Sequence, residues 1–115
     1  MQFGSYLRQA RERRKSSDRS FSLRQVAHRV GVEPSYLSKV ERNVELPSER
    51  TIRRLAAELN QDADVLLALA GKVSDDLRQV ICKRPQVFGA VIRELAAMPD
   101  HAVLRVVREV RDGHW

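Results

Sequence analysis

Cysteine is almost absent from this chain of 115 residues: Cys82 stands alone, so no intramolecular disulfide can form. That usage fits a reducing, cytoplasmic compartment. Set between Ile81 and Lys83, Cys82 reads as a small packing residue rather than a redox sensor. Aromatic residues make up only 5%, so the core must be built from aliphatic side chains. The five glycines are scattered, which excludes a glycine-rich phosphate loop. His28, His101 and His114 are isolated, with no Cys, His, Asp or Glu at metal-ligand spacing. The adjacent acids Asp75 and Asp76 are explained by opening a helix. Nothing here argues for an enzyme, and no metal or cofactor is expected. The longest apolar run, residues 65–70, is far too short to cross a bilayer, and the N-terminus lacks the pattern of a signal peptide. No membrane association is expected. There is no internal repeat and no low-complexity tract.

Acidic residues are scarce in one half only. Residues 1–60 hold 13 Lys/Arg against 7 Asp/Glu, whereas residues 61–115 hold 8 of each, so the whole net charge of +6 lies in the first half. A cationic excess confined in this way suits phosphate neutralisation by a nucleic-acid-binding domain.

Within that half, residues 21–42 read FSLRQVAHRVGVEPSYLSKVER. Ser22 is a good N-cap, and Leu23, Val26, Ala27 and Val30 then share one helical face. Gly31 suits a left-handed stop, because it has no Cβ to clash. Val32 fits the angle between two helices, and Pro34 opens the second at a position where its missing N–H costs nothing. Leu37 and Val40 point inward, leaving Ser35, Ser38, Lys39 and Arg42 outside. This is a helix-turn-helix pattern, with helices expected at 22–30 and 34–42.

The pattern resembles the Cro/C1-type helix-turn-helix regulators of bacteria and phages, the XRE family. The matching residues are SLRQVA (22–27), Gly31-Val32, SYLSKVER (35–42), Pro47-Ser48, Thr51-Ile52 with Leu55-Ala56, and Asp64-Val65-Leu66. The resemblance covers residues 3–70 and implies a five-helix, all-α domain at 1–71. It implies that the start of helix 34–42 enters the major groove. The family's base-reading positions then fall on Pro34, Ser35 and Lys39, with Ser38 beside them. Lys39 is the foremost of these, since an ammonium can donate to guanine O6 and N7. Pro34 departs from the polar residues common there and offers only an apolar contact. Glu33 favours the helix dipole more than it favours a cytosine amine. Arg24, Gln25, Tyr36 and Arg42 fall at backbone-contacting places; Leu23 replaces a common Gln, so that phosphate contact is either lost or passed to Arg24. Tyr36 either reaches a phosphate through its hydroxyl or simply packs. Arg11 and Glu41 match a pair that orients the recognition helix, and the pairing can also turn the guanidinium towards a phosphate. Asn43 replaces a common Gly as a left-handed cap.

Around these, helix 1 is expected over 3–14, with Phe3, Tyr6, Leu7 and Ala10 buried and Arg8, Arg11, Arg13 and Arg14 on its polar side. The next segment, KSSDRS at residues 15–20, is longer than the resembled family's tight connection; it either touches the DNA backbone or hangs in solvent. Helix 4 is capped by Ser48 and buries Ile52, Leu55, Ala56 and Leu59. Helix 5 begins at Asp62 or Asp64, buries Val65, Leu66 and Leu69, and stops at Gly71. Ser74 then caps a further helical stretch, and Pro85 and Pro99 divide the rest of the chain into helices near 85–97 and 100–111. Their apolar stripes cannot stay folded alone.

Two functions are compatible with these features. In the first, the chain is a transcriptional regulator, a repressor binding a near-palindromic operator in double-stranded DNA as a homodimer. Its C-terminal helical region, 72–115, would supply the dimer contact, with Trp115 either anchored at the interface or frayed. In the second, it is an antitoxin or interaction module whose C-terminal helices hold a toxin or other partner protein.

Overall fold

The structure, a computed structural model, describes residues 1–115 and contains eight α-helices, one 3-10 turn and no strand. The helices are α1 (Phe3–Lys15), α2 (Leu23–Val30), α3 (Pro34–Glu41), α4 (Glu49–Leu59), α5 (Ala63–Leu69), α6 (Asp75–Lys83), α7 (Pro85–Ala96) and α8 (Asp100–Asp112). The 3-10 turn, Arg19–Phe21, lies between α1 and α2. The fold is all-α, as the sequence pattern implies. The chain divides into two compact units, Met1–Ser74 and Asp75–Trp115.

In the first unit, local chemistry sets the helix ends. Ser22, Ser48 and Asp62 each accept a backbone N–H from the first turn of the helix they precede, which satisfies a donor with no intrahelical partner. At the other ends, Gly31 (φ 84°) and Asn60 (φ 53°) adopt the left-handed conformation that releases the chain. Once the ends are fixed, the apolar periodicity decides what faces inward. Phe3, Leu7 and Ala10 of α1, Val26, Ala27 and Val30 of α2, and Leu37 and Val40 of α3 are buried. They meet Ile52, Leu55, Ala56 and Leu59 of α4 and Leu66 and Leu67 of α5 in a single core. Tyr6 lies at its edge, and its hydroxyl donates to Gln61 Oε1 at 3.0 Å.

Three expectations about this core are corrected. Val65, expected inside, is 46% exposed, while Leu67 is fully buried. The inward face of α5 runs through positions 63, 66, 67 and 70, where Ala63 and Ala70 pack partly against the core. Leu69 is also only partly buried. Arg11, placed on the polar side of α1, is instead buried, because it lies one turn beyond Leu7 on the inward stripe.

The second unit has a different character. None of its three helices contributes a buried residue. Phe88, Leu95, Val103 and Val106 are half-buried, whereas Val87, Val91, Ile92, Leu104, Val107 and Val110 are exposed. The Trp115 indole N–H donates to the Val110 carbonyl at 3.0 Å, yet its ring remains 95% exposed. Cys82 is free and exposed, which corrects the expectation of a packing residue. No helix is long and apolar enough to cross a membrane.

The corrected phase of α5 is directly testable by urea unfolding. Leu67→Ala should cost about 2–5 kcal/mol, as truncation of a buried leucine does. Val65→Ala should change stability by no more than about 0.5 kcal/mol. The reverse ranking would place Val65 inside and Leu67 outside.

Candidate nucleic-acid interface

The site is built on α2, the turn after it, and α3. Gly31 closes α2: its N–H reaches the Ala27 carbonyl at 2.9 Å, and the next N–H, of Val32, reaches the same carbonyl at 3.0 Å. This doubly bonded stop sets where the chain turns. Val32 is half-buried against the core at the corner, and Pro34 occupies the first turn of α3. From there the two faces of α3 separate cleanly. Leu37, Val40 and Glu41 are buried; Ser35, Lys39 and Arg42 are exposed, with Pro34, Tyr36 and Ser38 intermediate. Tyr36 packs partly against the core. On α2, Arg24 and Gln25 are exposed in the first turn, where the Gln25 N–H donates to Ser22 Oγ at 3.3 Å. The structure thus brings Ser35 and Lys39, one turn apart, onto one outward face.

The C-terminal end of α3 is held from α1. Arg11 donates through Nε to Glu41 Oε2 at 2.6 Å and through Nη2 to Glu41 Oε1 at 2.9 Å, a two-point fork. Its remaining nitrogen, Nη1, donates to the Phe21 carbonyl at 3.2 Å. The residue is only 5% exposed, so every guanidinium nitrogen serves the protein and little surface remains to meet an outside phosphate. The hydrogen bonds to Glu41 hold the guanidinium above its ordinary pKa, outweighing the opposing effect of burial.

A second clamp lies just beyond the end of α3. Asn43 adopts φ 63°, and its Oδ1 accepts the otherwise unpaired N–H of Gly4 at 2.8 Å. Its Nδ2 donates to Ser5 Oγ at 3.1 Å. The backbones approach so closely here that a Cβ on Gly4 would lie 2.1 Å from the Val40 carbonyl oxygen. Only glycine fits.

Phe21 and Gly4 did not stand out in the sequence. Phe21 is buried, with the Arg14 guanidinium 4.4 Å and the Arg29 guanidinium 5.2 Å from its ring centroid. It precedes the N-cap Ser22 and shares the core with Val26, four positions into the helix. That pairing is the pattern of a hydrophobic staple, so a signal was available. Gly4 carried a weaker one, a glycine in the first turn of a helix with no capping role. Arg29 also pairs with Glu58 of α4, and Arg54 donates to the Val30 carbonyl at 3.3 Å, so α4 braces the turn from behind.

Nothing in the chain groups three or more His, Cys, Asp or Glu side chains where a metal ion could be held. A surface groove of the first unit, about 280 Å³, is lined by Phe3, Val44, Leu46 and Leu69 together with the polar Gln2, Asn43 and Glu45.

The sequence matches a family described as helix-turn-helix domain over residues 2–69. It is 40% identical over 68 residues to proteins named uncharacterized HTH-type transcriptional regulator in two strains of Mycobacterium tuberculosis. The matched stretch is 59% of this chain and 45% of each relative, so less than half the length of those proteins is represented. No solved structure matches significantly.

The buried fork between Arg11 and Glu41 generates a stability prediction. Arg11→Ala leaves a carboxylate buried without a partner and should cost about 3–5 kcal/mol in urea unfolding. Replacing both partners, Arg11→Met with Glu41→Leu, should recover most of that loss. A single variant as stable as the wild type would show that the pair does not hold α1 to α3.

Proposed function

Because the chain belongs to the helix-turn-helix domain family, we propose that it is a sequence-specific DNA-binding transcriptional regulator of the Cro/C1 (XRE) type. The observation that carries this reading is the two-sided character of α3. Its inward face is buried and clamped, while Ser35 and Lys39 stand exposed one turn apart. In this proposal α3 enters the major groove with Lys39 on guanine and Ser35 and Ser38 on neighbouring base edges. Pro34 supplies an apolar contact. Arg24, Gln25, Tyr36 and Arg42 meet phosphates and position the protein without specifying sequence.

A recognition helix of eight residues reads too few base pairs to select a site in a genome. The proposed protein therefore acts as a homodimer on a near-palindromic operator, with recognition helices one DNA turn, about 34 Å, apart. Residues 1–71 would bind DNA, and residues 72–115 would join the two copies. Exposed valines on α7 and α8, with no buried residue in either helix, support that assignment. A repressor working in the cytoplasm, without catalysis or cofactor, is the simplest form of this function. The same exposed stripe favours one other reading, in which the C-terminal helices hold a different protein, as an antitoxin holds its toxin.

Selection of bound duplexes from a random DNA pool, with light scattering on the same preparation, tests the proposal. An enriched inverted repeat bound by a dimer is expected. A monomer that binds DNA only weakly, with no enriched sequence, would favour the partner-protein reading. Lys39→Ala should relax base preference by about 1–3 kcal/mol at one position per half-site. Arg24→Ala should weaken binding to all sequences alike. Equal loss of specific and non-specific binding in the Lys39 variant would remove that residue from base reading.

A further inference from the structure

The segment between α1 and α2 is a built element, and its exposed cations have no partner in the chain. Asp18 caps the 3-10 turn: its Oδ1 accepts the Ser20 N–H at 2.9 Å and the Ser20 hydroxyl at 2.7 Å. Those two bonds hold the Asp18 carboxyl below its ordinary range. The cap is therefore intact above the usual carboxylate pKa and is lost only as pH falls through the lowered value. At the far end of the turn, the Phe21 ring is buried and its carbonyl accepts from Arg11 Nη1. The same guanidinium grips Glu41 at the end of α3. The turn is thus fastened, through one side chain, to the recognition helix itself.

On this frame sit two free cations. Lys15 lies four residues beyond Arg11, hence on the same face of α1 that meets the turn and α3. Arg19 opens the 3-10 turn, and Ser22 then caps α2 with Arg24 in its first turn. Lys15 and Arg19 are both exposed and neither makes an ion pair, whereas Arg14 and Arg29 lie against the Phe21 ring and Arg29 also pairs with Glu58. The only acid in the segment, Asp18, is occupied by Ser20. On the other side of α3, by contrast, residues 43–48 carry no cation and include Glu45.

We infer that Lys15 and Arg19 form a phosphate clamp on double-stranded DNA, extending the backbone contact of Arg24 outward from the recognition helix. The clamp rests on the proposed DNA-binding reading. It adds affinity on every sequence and no base preference, because phosphates carry no sequence information. Its occupant is the DNA backbone rather than an acidic protein, since the cations share a rigid frame with the helix proposed to lie in the groove.

The test is the salt dependence of binding, measured by anisotropy with the full chain on its selected duplex and on random DNA. Each phosphate contact contributes about 0.9 to the slope of log K against log salt, so Lys15→Ala with Arg19→Ala should lower the slope by about 1.8 on both duplexes. The selected sequence should stay the same. Lys83→Ala with Arg84→Ala removes equal charge from the second unit and should leave the slope unchanged. Thermal melting should match the wild type in both variants, since no side-chain bond is lost. A wild type that selects an operator while the Lys15/Arg19 variant keeps its slope overturns the clamp alone. An equal fall in the Lys83/Arg84 variant also overturns it, since net charge then explains the effect. A wild type that binds no DNA overturns the underlying reading and the clamp with it, and binding to an acidic protein instead would do the same.

Discussion

The first unit depends on one buried guanidinium. Arg11 joins three places that are distant in sequence: α1, the end of α3 at Glu41, and the Phe21 carbonyl just before α2 begins. Taking two charges out of water is costly, and apolar residues of equal volume can stabilise a fold as well or better. What they cannot supply is direction. A planar fork on a carboxylate, with a third bond to a fixed carbonyl, permits essentially one placement of α3 against α1. For a helix proposed to set its outward side chains against DNA in register, that restriction matters more than its net contribution to stability.

The remaining constraints on α3 act at its two ends and are made by the backbone. At the start, the paired bonds to the Ala27 carbonyl fix the turn, and Pro34 pre-sets the first helical residue. At the finish, left-handed Asn43 closes the helix and its amide satisfies the first turn of α1. A glycine at position 43 would take the same φ without strain but would leave the Gly4 N–H with no partner from this side chain. Asparagine here serves two helices, which glycine cannot do. The close approach at Gly4 is the geometric consequence, because α3 ends directly on the α1 backbone.

Legibility of the fold in the sequence tracked the strength of each local signal. Caps and stops are single-residue chemistry, so Ser22, Gly31 and Ser48 could be read directly, and the start of α5 could be narrowed to Asp62 or Asp64, of which Asp62 is the cap. Phase within a helix needs contrast between apolar and polar positions. In α2 and α4 that contrast is strong, and the inward residues emerge from spacing. In α5 the run VLLALA offers none, so two faces about 100° apart fit equally well. Packing chooses between them: the small Ala63 and Ala70 allow α5 to approach the core closely. Phe21 and the 3-10 turn were obscured because a polar stretch reads as loop, while the order in it comes from Asp18 and from a ring held between two arginines. In the candidate interface, the outward row on α3 was legible from the same periodicity. The engagement of all three Arg11 nitrogens was not, since burial depends on the tertiary approach of Phe21.

The second unit shows what local signals leave undetermined. Its helices span 9, 12 and 13 residues, lengths at which an isolated helix is marginal in water. Their apolar residues are arranged along helical faces, yet none reaches full burial. The stabilising term missing from such helices is apolar area removed from water, and a surface supplied by another molecule can provide it. If that molecule is a second copy, folding of α7 and α8, association, and occupation of a two-fold DNA site become one linked equilibrium. Each half-site contact would then be strengthened by the effective concentration that the dimer imposes on the other. Binding would rise steeply with the amount of protein, and regulation would reside in the assembly of the second unit rather than in the helix proposed to meet the bases.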